Sequence, residues 1–120
     1  MRFKADIPIW MQLMNALETE IATGQRKPGE KLPGSRELAK QFDVNPNTAA
    51  RVYQELEKKG LCQTRRGTGT FITEDEQMIF SLREEIAGEA VCQFLDVMET
   101  LDISRREAAR WILKEDDQEV

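Results

Sequence analysis

The sequence predicts a mainly α fold of the α+β class, in which three short helices and a small β-hairpin are followed by an α-hairpin. Three observations carry that prediction. Apolar residues recur at spacings of three and four through most of the chain, one stretch near its middle alternates instead, and glycine and proline punctuate the changes of pattern. With 120 residues, 40% of them hydrophobic, the chain can bury roughly two-thirds of the surface its unfolded form exposes, enough for one domain with an appendage.

A first helix is expected over residues 8–24. Pro8 suits a first helical turn, Ile9, Leu13, Ala16, Leu17 and Ile21 share one face, and Gly24 stops it. The stretch Gln25–Gly34 holds Pro28, Gly29, Pro33 and Gly34, which makes it an ordered turn or short extended segment with Leu32 anchored inward. Ser35 offers an N-cap to a short helix with Leu38, Ala39 and Phe42 on its apolar side, and Asp43-Val44 make a turn. Asn45 as N-cap and Pro46 at the first helical position open a third helix, whose stripe of Ala49, Val52, Tyr53 and Leu56 runs up to Gly60. In Leu61–Thr73, Cys62 and Thr64 alternate with polar neighbours, Arg66-Gly67-Thr68-Gly69 supplies a turn, and Thr70–Thr73 is β-branched and aromatic: a hairpin. Two short helices joined by a tight turn, with a hairpin behind them, make residues 1–73 a winged helix-turn-helix. The second helix of such a pair enters a DNA major groove.

After Glu74-Asp75-Glu76 the helical pattern returns, with Ile79, Leu82, Ile86, Ala90, Phe94, Val97 and Leu101 recurring every three or four residues. A helix that long exceeds what the preceding module can cover, so its seam calls for another helix. Ser104-Arg105-Arg106-Glu107 reads as a capping box opening a last helix, with Ala108, Trp111 and Ile112 on its apolar side. Residues 76–116 are therefore expected to form a helical dimerisation tail. Its contacts with a second copy of the chain are the seven stripe residues and Trp111, and Asp116–Val120 are expected to fray.

Charge sharpens the picture. The chain has 17 basic and 22 acidic residues, a net −5, but residues 1–73 carry 12 basic and 8 acidic, net +4, and residues 74–120 carry 5 and 14, net −9. A basic module joined to an acidic one points to nucleic-acid contact. The lack of His removes the commonest general base and His-bearing metal sites, so no catalytic residue, metal or cofactor is expected. Glu84-Glu85 and Asp116-Asp117 read as solvated charges. Cys62 and Cys92, thirty positions apart, form no CxxC pair and are read as reduced core thiols. No apolar run approaches the ~20 residues that span a bilayer, so no membrane partner is expected and the location is read as cytoplasmic.

Pro8-Ile9-Trp10, Pro28-Gly29, Leu32-Pro33, Ser35-Arg36-Glu37-Leu38-Ala39, Val44-Asn45-Pro46-Asn47-Thr48, Leu56-Glu57, Gly60-Leu61 and Arg66-Gly67-Thr68-Gly69-Thr70-Phe71 together resemble the DNA-binding domain of the GntR family of bacterial transcription regulators. Asn45-Pro46-Asn47-Thr48 followed by Arg51-Val52-Tyr53-Gln54-Glu55-Leu56, with the short helical tail, is similar to the YtrA subfamily, which the resemblance implies to be dimeric and without a large effector domain. It further implies that Arg36, opening the second helix, contacts the DNA backbone or a base, that Asn45, Asn47 and Thr48 at the front of the third helix enter the groove, and that the wing contributes Arg66, Thr68 and Gly69. Lys31, Ser35 and Arg51 complete the expected DNA-binding set. Asn suits adenine, Arg suits guanine, and Thr suits a thymine methyl or a phosphate. Many relatives carry Arg where Pro46 and Ala50 stand, and an acidic residue where Arg51 stands, so their groove code does not transfer to this chain.

Plainer roles stand beside these. Arg36 could be a solvated residue paired with Glu37 or Glu30, Asn45 could cap a helix without touching DNA, and the stripe from Ile79 to Leu101 could pack within one chain. The function expected is that of a homodimeric transcription regulator, a repressor, on an inverted-repeat operator of double-stranded DNA, with Lys31, Arg36, Lys40, Arg51, Arg65 and Arg66 neutralising phosphates. The alternative is a winged-helix protein-interaction adaptor without specific DNA binding. A small-molecule effector, where one exists, is expected at the dimer junction or between tail and DNA-binding module, near Phe80, Phe94 or Trp111.

Overall fold

A computed structural model describes residues 2–119, with side chains through residue 114. The element order is α1 (Ile9–Thr23), α2 (Ser35–Phe42), α3 (Pro46–Lys58), β1 (Cys62–Arg65), β2 (Gly69–Ile72), α4 (Glu76–Thr100) and α5 (Arg105–Glu119). The chain divides into two compact units, Met1–Arg83 and Glu84–Val120. That division falls inside α4, beyond the acidic boundary at 74–76, because the helix's opening turns still belong to the first unit. Met78 Cε lies 3.2 Å from where a Cβ on Gly60 would stand, and Leu82 is buried.

The core of the first unit is built from Leu13, Leu17 and Ile21 of α1, Leu38 and Ala39 of α2, and Ala49, Val52, Tyr53 and Leu56 of α3, closed by Leu32, Leu61 and Ile72. Such close-packed aliphatic burial contributes most of the stability of a domain this small. Ile9 departs from expectation and is exposed. Trp10 is the first-turn residue that reaches α3, and Met14 and Glu18 join the buried face instead. Glu18 can be buried because Lys59 Nζ lies 2.5 Å from its Oε2, a pairing that brackets 41 positions of sequence.

Local chemistry explains the boundaries. Gly24 takes a left-handed conformation (φ 82°) after α1 and donates its N–H to the Ile21 carbonyl. Ser35 is the first residue of α2 and not its N-cap. Gly34, with extended φ and ψ, occupies the capping position, and no side-chain cap bond forms there. Asp43, at φ 55°, makes the reversal into α3. At α3 itself Asn45 is the cap, its side chain accepting from the Asn47 N–H at 2.8 Å, and Pro46 follows in the first turn.

β1 and β2 pair antiparallel, from Cys62 opposite Ile72 to Arg65 opposite Gly69, around a turn at 66–68. The segment 29–32 lies against β2: the Gly29 N–H donates to the Ile72 carbonyl, the Ile72 N–H to the Glu30 carbonyl, and the Leu32 N–H to the Thr70 carbonyl. The two-stranded wing is thus backed by an extended segment, with an isolated bridge between Lys31 and Phe71 and Leu32 in the core, that leads into α2.

Asp75 caps α4, its Oδ1 accepting from the N–H groups of Gln77 (3.1 Å) and Met78 (3.2 Å), a role that its place in an acidic run conceals. In the second unit Asp102, at φ 62°, closes the turn after α4, and Ser104 Oγ accepts from the Glu107 N–H at 3.1 Å, one arm of the expected capping box. Ala108 is buried. Of the tail stripe, Leu82 is buried and Ile79 and Ile86 are half-buried, whereas Ala90, Phe94, Val97, Leu101, Trp111 and Ile112 are exposed. The charges Asp116-Asp117 and the fraying of the last residues lie outside the described side chains.

The cysteines divide. Cys62 is a core thiol as expected, but Cys92 is exposed, because no described element covers this stretch of α4, whose positions 90 and 94 are exposed as well. In the folded protein at pH ~8, iodoacetamide should alkylate Cys92 alone, and Cys62 only after denaturation. Peptide mass spectrometry reads both sites.

Candidate nucleic-acid interface

The helix α3 has two faces set by its 3.6-residue period. Ala49, Val52, Tyr53 and Leu56 are buried, while Asn45, Asn47 and Arg51 are exposed and Thr48 is half-buried at the edge. Asn47 and Arg51, four residues apart, stand one turn above the other. The cap geometry uses the Asn45 side-chain oxygen, so at least part of the plainer role for this residue is realised; its amide nitrogen has no partner among the described residues. Arg51 carries an interaction that sequence inspection missed: its Cζ lies 4.0 Å from the centroid of the Trp10 ring. A second such contact sets Arg65 Cζ 4.5 Å from the Phe71 ring in the wing.

Around α3 the other expected residues fall into two groups. Lys31, Ser35, Thr68 and Gly69 line one cleft of about 460 Å³, together with Tyr53 and Gln54 of α3 and Thr64 and Thr70 of the wing. Arg36, Asn45, Asn47, Thr48, Arg51 and Arg66 lie outside it. Arg36 is exposed in the first turn of α2 and forms no ion pair with Glu30 or Glu37, and Arg66 is exposed at the turn of the wing. Gly69 explains how the cleft is closed on the wing side. Its φ is 134°, and a Cβ there would stand 2.7 Å from Lys31 Cε, so only a glycine lets the lysine lie across the strand.

Tyr53 ties the cleft together, its hydroxyl donating to the Pro33 carbonyl at 2.5 Å and so joining α3 to the segment that enters α2. Burial pushes this phenol up from 10.0 to about 12, opposed by the Arg26 charge and aided by Cys62. The Cys62 thiol, which donates to the Tyr53 carbonyl at 3.7 Å, is likewise raised by burial, and further by Glu57, from 9.0 to about 11. Both groups are neutral in use and serve the frame. No group of three or more His, Cys, Asp or Glu able to hold a metal occurs among the described residues.

The sequence that carries this arrangement, an exposed polar helix face beside a basic helix start and a hairpin, matches the family model of the bacterial regulatory proteins of the gntR family over residues 11–72. The chain belongs to the GntR family. A GntR relative, the uncharacterized HTH-type transcriptional regulator YhcF of Bacillus subtilis, is 36% identical over 106 residues, 88% of each chain. The HTH-type transcriptional repressor YtrA of the same organism is 42% identical over 72 residues, covering 60% of this chain and 55% of that one. Among solved structures, a GntR family transcriptional regulator from Listeria monocytogenes superposes with a TM-score of 0.88 at 38% identity, over 93% of this chain and 98% of the other. As a GntR protein the chain is a DNA-binding transcription regulator and not an enzyme. No helix among the described residues is long and apolar enough to cross a membrane.

Two outcomes follow from this geometry. Asn45→Ala, which removes the α3 cap, should lower unfolding free energy by about 1 kcal/mol, and Asn45→Asp, which keeps a cap oxygen, should recover most of it in urea titrations. The second concerns pH: because Cys62 and Tyr53 titrate higher in the fold than unfolded, the unfolded chain loses these protons first. Their contribution is complete below about pH 9 and disappears as pH rises toward 12. The urea midpoint should fall over that range, and Cys62→Ala should make the fall between pH 9 and 11 shallower.

Proposed function

We propose that this GntR regulator is a homodimeric repressor that binds an inverted-repeat operator, one α3 helix to each half-site, in the cytoplasm. Asn47, Thr48 and Arg51 read base edges, Asn45 adds its amide where the cap leaves it exposed, and Lys31, Ser35, Arg36, Arg66, Thr68 and the Gly69 backbone hold phosphates. The observation that carries this reading is the solvent face of α3, where Asn47 and Arg51 are exposed and Arg51 donates no hydrogen bond to any described residue. An isolated helix face so equipped suits the major groove, where Asn meets the N6 donor and N7 acceptor of adenine and Arg the O6 and N7 acceptors of guanine. The repressor sense takes support from the YtrA relative.

Dimerisation is assigned to residues 76–116. Phe94 and Val97 of α4, Leu101 just after it and Trp111 of α5 are 37–59% exposed, and a second copy of the chain offers a matching set of uncovered apolar side chains. Between α4 and α5 runs a mainly apolar groove of about 370 Å³, lined by Val91, Phe94, Leu95, Ala108 and Ile112 with the Arg105 side chain among them. A small apolar effector has room there. Of the three residues named for such a role, Phe94 lines the groove, and Phe80 and Trp111 do not.

The test is fluorescence anisotropy at ~150 mM salt on the DNA upstream of the chain's own gene, against a scrambled duplex, with sedimentation in parallel. Preferential binding by a dimer, with affinity falling steeply with salt and the salt slope reduced by about one for Arg36→Ala, is the expected result. Feeble, equal binding to both duplexes by a monomer would favour the adaptor reading.

A further inference from the structure

Arg51 is an unusual element of the α3 face because its charge is held by a ring and not by a carboxylate. Glu55, one turn on, has the spacing for an ion pair with Arg51, yet it pairs with Lys58 at 3.4 Å. The Arg51 guanidinium instead lies over the Trp10 ring, its Cζ 4.0 Å from the centroid, within cation–π range. That contact uses none of the N–H groups in a hydrogen bond, and Arg51 makes no hydrogen bond or ion pair among the described residues. Trp10 is itself well seated. It is half-buried in the first turn of α1, and two residues on, Gln12 Nε2 donates to the carbonyls of Lys4 and Ile7 at 2.8 Å, fastening the chain that leads into that turn.

Resting on the reading of Arg51 as a base-contacting residue, we propose that Trp10 is a positioning residue for sequence recognition: it holds the Arg51 fork in place for the O6 and N7 acceptors of a guanine. A long arginine side chain gives up rotamer freedom when it binds, and a ring that has already fixed it lowers that loss. The guanine edge is favoured over a phosphate because Arg51 stands one turn from Asn47 on the face that faces the groove, whereas phosphates line the rims of the groove. Trp10 touches no DNA in this arrangement and acts through Arg51 alone.

The experiment uses the full chain and duplexes selected from a randomised library at ~150 mM salt. The wild type, Trp10→Phe, Trp10→Leu, Arg51→Ala and the Trp10→Leu/Arg51→Ala double variant are profiled for preference at every base position, after thermal melts establish that each is folded. Arg51→Ala should flatten a guanine preference at one position by roughly tenfold or more. Trp10→Leu should weaken the same position by about 2- to 5-fold and leave the others unchanged, with no further effect in the Arg51→Ala background. Trp10→Phe, which keeps a ring, should retain most of the preference; should the leucine variant fold poorly, Trp10→Met takes its place with the same expected loss at that one position. Overturning the proposal are an unchanged or sharpened guanine preference in Trp10→Leu, or a loss spread evenly over all positions. A profile that Arg51→Ala leaves intact, or alters only in salt dependence, overturns the Arg51 assignment itself and the proposal with it.

Discussion

The apolar seam of α3 is what the rest of the first unit depends on. Ala49, Val52, Tyr53 and Leu56 lie buried against α1 and α2, and that contact decides which residues of the same helix remain in water. Because a helix repeats every 3.6 residues, burying one side exposes Asn47 and Arg51 on the other without any further instruction. Loss of a residue such as Leu56 would therefore damage recognition through the placement of α3, although it touches no ligand.

Two polar ties adjust that frame. The Tyr53 hydroxyl reaches the Pro33 carbonyl and fixes where the chain enters α2, which in turn sets where Arg36 stands relative to α3. Glu18 and Lys59 join α1 to the end of α3. A buried ion pair adds little net stability, but removing the lysine would leave the Glu18 carboxylate buried without its 2.5 Å partner, which is destabilising. The backing of the wing by residues 29–32 has a similar effect, since its backbone hydrogen bonds tie the hairpin to the segment that enters α2.

The second unit follows different physics. Its helices α4 and α5 bury Ala108 but leave Phe94, Val97, Leu101 and Ile112 in contact with solvent. The charge balance divides along the same line, with the basic residues concentrated in the first 73 positions and the acidic ones after them, so that an approaching polyanion meets attraction from one part and repulsion from the other.

By itself the sequence determined the elements, because helix period, alternation and cap chemistry are local: Asn45 and Pro46 start α3, Gly24 ends α1, and Arg66-Gly67-Thr68-Gly69 turns the hairpin, all within a few residues of the side chains responsible. The buried stripe of α3 was legible for the same reason, and so was the exposed face opposite it. What only the tertiary structure decided involves partners distant in the chain. Arg51 meets Trp10 across 41 positions, Lys59 meets Glu18 across another 41, and Lys31 crosses Gly69, none of which any local pattern encodes. The same limit explains Ile9, Cys92 and Ser35. Their residue types suit core or cap, but burial depends on which neighbour arrives, and at Ser35 the backbone turned one residue earlier, at Gly34.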